Sequence, residues 1–256
     1  MKALYQKNKL TFAIVWIVVY CVLMSFGDSL SETLGIEKSI TLPIGVALSA
    51  ILLIFLKKND LFDSYGLCFP KESAKSMLYY IPIVVMLTAN LWYGTTFNYS
   101  ALETVLYILA MLCVGFLEEI IFRGLLFEAM RKDNVKAAII VSSITFGIGH
   151  IINLVNGSGA EFLPNLLQVV YATSAGFMFV MMYYKTKSLI ICITAHGVFN
   201  ALSVFANEAN ATPKMRILSA ALLTVITSSY AIYIAWTSKE KKNEGHYPDQ
   251  SSNEKV

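Results

Sequence analysis

Three short patterns place polar side chains inside otherwise apolar stretches of this 256-residue chain: Glu118-Glu119-x-x-x-Arg123, Phe146-x-x-x-His150 and His196-x-x-x-Asn200. A carboxylate drawn out of bulk water is suited to general-base work. Glu118 beside a neutral imidazole could therefore hold and deprotonate a water. His196 and Asn200 are one helical turn apart and can aim N–H donors at one point, as an oxyanion hole requires. Activated water plus an oxyanion site is the equipment for hydrolysing an acyl bond such as a peptide. Zinc is the variant: Glu118, His150 and His196 would leave one position open. Against it, HExxH spacing is absent and Asn is a poor zinc ligand, so the residues alone leave the metal open. No GxSxG is present, and Ser174 has no base at a telling distance in sequence.

Glu119 and Arg123 are four apart and share a helix face, so they can neutralise each other within one helix. Glu118 lies about 100° further round and points elsewhere. It has no local cation, and another helix must supply its hydrogen bonds. His150 and His196 have a bland reading as interhelical hydrogen-bonding residues. Taken with Glu118 and Asn200, however, they form a polar set that no single helix can satisfy.

The elements that must carry this set are membrane spans. The chain is 56% hydrophobic and 14% charged, with mean hydropathy +0.60; a soluble domain has about 25% charged residues. Apolar runs recur near the 20-residue length a bilayer demands, at 10–26, 40–56, 77–93, 102–127, 137–154, 163–184, 189–205 and 217–236. The expectation is an all-α polytopic bundle of about eight transmembrane helices, forming one domain over 1–237 with a motif-bearing core at 102–205. The polar stretch 238–256 reads as a disordered cytoplasmic tail. An ionised side chain near the bilayer centre costs about 2.5–3.5 kcal/mol even on lenient scales, so Glu118, Glu119 and Arg123 require a function or a partner.

Charge in the connectors orients the bundle. Lys2, Lys7 and Lys9 precede the first run, and Lys57, Lys58, Lys71 and Lys75 follow the second. Arg131, Lys132 and Lys136 follow the fourth, Lys185 and Lys187 the sixth, and Lys239, Lys241 and Lys242 the eighth. The alternate connectors are poor in basic residues, apart from Lys38, Lys214 and Arg216. By the positive-inside rule both termini face the cytoplasm of a plasma membrane. At 1.5 Å per residue, Glu118 and Asn200 lie about 18 Å, His196 about 12 Å and His150 about 21 Å from the cytoplasmic ends of their spans. A hydrated pocket reaching in from the cytoplasmic side would join them. The connector at 57–75 reads as lying along the membrane surface.

Other classes find less support. The net charge of +3 comes with no basic stripe, so no nucleic-acid partner is expected. Cys21, Cys68, Cys113 and Cys192 are scattered, with no pairing or metal spacing. The first apolar run is long for a signal peptide and has no A-x-A-like site after it.

The three patterns, in this order and on separate spans, with Phe122-Arg123-Gly124 closing the first, resemble the motifs of the CAAX prenyl protease type 2 and bacteriocin-processing family, also called CPBP or Abi. The resemblance covers 102–200 directly. It implies an intramembrane endopeptidase opening to the cytoplasm, in which Glu118 and His150 activate water and His196 and Asn200 hold the oxyanion. Glu119, Arg123 and Phe146 would support them. The family has been described both as metalloprotease and as glutamic protease, so the resemblance leaves zinc open. Its implied partner is a membrane-associated peptide or protein. Eukaryotic members cut prenylated proteins; bacterial ones are associated with bacteriocin immunity, peptide maturation and cell-surface processing. The loops and Asn-rich tail suit a bacterium. Two rival readings are a proton-coupled transporter using Glu118 and the histidines as a relay, and a non-catalytic immunity or scaffold protein. Oligomeric state is not indicated.

Overall fold

A computed structural model describes residues 1–70, 80–154 and 161–237. Among the described residues the architecture is all helical, with one isolated bridge between Thr95 and Ala206. The helices are α1 (Lys2–Lys7), α2 (Lys9–Leu34), α3 (Thr41–Lys58), α4 (Tyr80–Thr88), α5 (Ala101–Arg131), α6 (Val135–Gly149), α7 (Phe162–Thr186), α8 (Ile190–Leu202) and α9 (Pro213–Thr237). Six of them, with α6 extended to Leu154, are long and apolar enough to cross a membrane. The chain is a polytopic all-α membrane protein. The third and seventh expected spans are shorter apolar helices, Ile81–Leu91 and Ile190–Phe205. The start of the third run and the tail at 238–256 lie outside the described residues.

Local chemistry sets the helix starts. The side chains of Asn8 and Asn134 each accept a backbone N–H from the first turn of α2 and α6. Ser100 and Glu103 form a capping box at the start of α5. The outward faces carry large apolar residues such as Val18, Val22, Leu218 and Ile232, as expected where lipid is the solvent.

Small residues let the helices approach closely. A Cβ on Gly115 of α5 would lie 2.5 Å from the Cα of Gly197 on α8. One on Gly147 of α6 would lie 2.7 Å from the Cα of Thr173 on α7. Such small-residue contacts substitute for the hydrophobic driving force that lipid removes.

One end of the bundle gathers the basic residues Lys7, Lys9, Lys57, Lys58, Arg131 and Lys187 and is filled by Tyr65, Phe127, Tyr183 and Leu189, all buried. Tyr5 and Tyr65 share a hydroxyl hydrogen bond of 2.8 Å there. The connector after α3 is tied into this plug: Leu189 N donates to Gly66 O at 2.7 Å, and Ser188 Oγ to Cys68 O at 2.5 Å. Its residues 71–75 lie outside the described ones. At the other end Lys38 Nζ reaches Asp28 at 2.8 Å, and Arg216 pairs with Glu208. Burial works against the Lys38 charge, but the Asp28 and Glu37 carboxylates and the Tyr107 hydroxyl together outweigh it and hold the ammonium above its ordinary range.

Candidate active site

The site forms where α5 changes its winding. The α-helix from Ala101 ends at Glu118, and Glu119–Phe127 is wound as a π-helix before Glu128–Arg131 returns to α. A π segment re-aims side chains and recurs at functional sites. Every residue of this segment is buried.

Glu119 and Arg123 pair as their spacing predicts: Arg123 Nη1 donates to Glu119 Oε1 at 3.0 Å, with both side chains fully buried. The guanidinium also lies 4.1 Å from the Phe146 ring centroid and 5.6 Å from that of Phe179. Phe146 in turn meets His150 and His196 edge-on, at 5.4 and 5.6 Å between ring centroids. The aromatic residue of the second pattern is thus the hub around which the other two are packed.

His196 is held between the two carboxylates. Its Nδ1 is 2.9 Å from Glu119 Oε1, and its Nε2 is 3.4 Å from Glu118 Oε2. The Gly115–Gly197 contact explains this, because it brings the backbones of α5 and α8 together beside these three side chains. The ring also stacks on Phe179, with centroids 5.7 Å apart.

Glu118 does receive its hydrogen bond from another helix. The donor is Tyr20 of α2, whose hydroxyl reaches Glu118 Oε1 at 2.6 Å. Sequence reasoning missed Tyr20, although a phenol in the middle of an apolar run was the available signal. Glu118 Oε2 is buried and has no hydrogen-bond partner among the described residues. A carboxylate oxygen so placed is a natural seat for a water.

Glu118, Tyr20, His150 and Asn200 line one cavity of about 290 Å³. His196 lies behind it, lining a smaller chamber of about 40 Å³ shared with His150, Phe146 and Asn200. The structure brings His196 and Asn200, which the sequence pairs, to the wall of that one smaller chamber. Asn200 faces the cavity, whereas both His196 nitrogens face carboxylates. The cavity extends from Glu118 toward Asp28, Lys38 and Ser203, away from the basic end, because the aromatic plug fills that end.

The zinc variant does not fit these side chains. Among the described residues no three of His, Cys, Asp and Glu are grouped as a metal shell, and Nδ1 of His196 is already taken by Glu119.

Comparison with known proteins falls on this part of the chain. Residues 100–202 match the family model described as type II CAAX prenyl endopeptidase Rce1-like. Over this stretch the chain resembles the Rce1-like family. The Rce1-like segment begins at Ser100, which caps α5, and ends at Leu202, the last residue of α8. It contains every residue of the three patterns but not Tyr20, which α2 contributes from outside it. YdiL of Bacillus subtilis (strain 168), described as a proposed membrane peptidase, is 35% identical over 89 residues, 34% of this chain and 31% of that protein. A UPF0719 transmembrane protein of Aquifex aeolicus (strain VF5) is 24% identical over 144 residues, 55% of this chain and 52% of that protein. The matches thus span about a third and about half of these relatives. No solved structure matches the chain.

Proposed function

We propose that this protein is an intramembrane peptidase that hydrolyses a peptide bond of a membrane-associated protein or peptide, with Glu118 as general base. The observation that carries the reading is the state of Glu118. One carboxylate oxygen is held by Tyr20 at 2.6 Å, while the other is buried without a hydrogen bond beside a polar cavity.

Glu118 takes a proton from a water in the cavity as that water's oxygen attacks the scissile carbonyl carbon. The Asn200 amide, half-buried on the cavity wall, donates to the oxygen that becomes negative. His150 faces the same space. Glu118 then gives its proton to the leaving amine nitrogen as the C–N bond breaks. His196 acts through Glu118. In the tautomer that donates Nδ1–H to Glu119, the lone pair on Nε2 faces Glu118 Oε2 and can share its proton. Arg123 fixes Glu119, and Phe146 fixes Arg123 and both imidazoles. The Rce1-like segment and the likeness to YdiL support the same reaction class.

The test is cleavage of a membrane-tethered peptide by purified protein in proteoliposomes. Glu118→Gln should lower the rate about 100- to 10,000-fold, the range typical of a lost general base, while thermal unfolding stays near that of the parent. Cleavage retained by a folded Glu118→Gln protein rejects the mechanism.

A further inference from the structure

The cavity around Glu118 is one-sided. On α2 its wall runs from Tyr20 to Asp28, toward Leu34 and away from Lys9. On α5 it runs from Phe122 through Glu118 back to Tyr107, most of it on the Ala101 side of Glu118. Lys38, Thr41 and Ser203 complete it at the end where α2 joins α3 and α8 terminates. In the other direction lie the buried His196, Glu119 and Arg123, and beyond them the aromatic plug.

Charge gives the two ends different addresses. The plugged end carries Lys7, Lys9, Lys57, Lys58, Arg131 and Lys187 on unrelated helices and connectors. The open end has Lys38, Lys214 and Arg216, and two of these are neutralised by Asp28 and Glu208. Lysine and arginine near span ends are retained on the cytoplasmic side during insertion. The wall chemistry narrows the occupant. Ser25, Gln168 and Asn200 present hydroxyl and amide groups to the cavity. An extended peptide offers one donor and one acceptor per residue to such groups, whereas an acyl chain would leave them desolvated and unmatched.

We infer that the Glu118 cavity opens to the non-cytoplasmic side of the membrane and takes an extended peptide segment presented there. The identity of the occupant rests on the peptidase reading above. The direction of opening rests on the cavity walls and the charge distribution alone.

Thiol labelling in intact bacterial cells tests the direction without reference to cleavage. Cys21, Cys68, Cys113 and Cys192 are first replaced by Ser. Single thiols are then introduced by Ser25→Cys on the cavity wall, Glu32→Cys at the open end of α2 and Lys58→Cys at the plugged end. A membrane-impermeant maleimide is applied, and total thiol is measured after denaturation. Glu32→Cys and Ser25→Cys should label in intact cells, with Lys58→Cys labelling only after permeabilisation. Labelling of Lys58→Cys but not Glu32→Cys in intact cells overturns the orientation. Labelling of Glu32→Cys with Ser25→Cys silent overturns the open cavity. A second arm presents the same scissile segment on either side of the membrane in tethered reporters. Cleavage confined to the non-cytoplasmic reporter is expected, and cleavage confined to the cytoplasmic one overturns the proposal. Loss of both with the labelling pattern intact would strike the peptidase reading and leave the direction standing.

Discussion

The guanidinium of Arg123 lies 4.1 Å from the centre of the Phe146 ring while its Nη1 donates to Glu119 at 3.0 Å. One fully buried cation thus ties the first pattern to the second. Removing one partner of a buried ion pair costs about 3–5 kcal/mol, because the other charge is stranded. Arg123→Met should therefore destabilise strongly, and Glu119→Gln added to it should recover part of the loss. Arg123→Lys keeps the charge but gives up the planar stack, at about 1–2 kcal/mol. Denaturation in detergent measures all three. Equal stability of the single and double variants would show that the pair carries no such penalty.

Tyr20 is a positioning residue, since it acts through Glu118. A hydrogen bond to a charged group is worth about 1.5–3 kcal/mol, so Tyr20→Phe should slow cleavage about 10- to 100-fold. The loss should fall on kcat rather than KM and should change the pH profile of the rate. Because Tyr20 lies outside the Rce1-like segment, this variant also tests whether α2 completes the site. An unchanged rate and profile would remove Tyr20 from it.

The contact between Gly115 and Gly197 sets the distance from His196 to the two glutamates. Gly115→Ala puts a methyl 2.5 Å from the Gly197 Cα, so α5 and α8 must move apart. Activity should fall by more than tenfold, as expected when reacting groups shift by about 1 Å. Gly124→Ala is the control: its new methyl meets only ordinary van der Waals neighbours at 3.6 Å or beyond. Cleavage rates of the two variants make the comparison, and equal rates would show that this contact does not position the site.

Metal removal separates the two chemistries left open by the residue types. With His196 engaged between Glu118 and Glu119, hydrolysis should persist after dialysis against EDTA and 1,10-phenanthroline. Loss that zinc restores would show that the side chains regroup around a metal.

Much of this protein can be read directly from its residues. Run length and apolar composition set the all-helical membrane class, because bilayer thickness and backbone hydrogen bonding leave few alternatives. The i, i+4 spacing of Glu119 and Arg123 was enough to predict their ion pair, since both lie on one helix. Even the need for a foreign partner at Glu118 followed from its position one residue back.

Which partner it takes did not follow. Tyr20 is 98 residues away, and its approach depends on how α2 is rotated against α5. His196 sits between two carboxylates only because glycines let α5 and α8 touch beside it. Spacing alone had paired it with Asn200. The cavity's direction was likewise invisible, since helical periodicity describes one helix at a time. Rotation, closeness and the packing of Phe127, Tyr183 and Tyr65 at one end are properties of the assembled bundle.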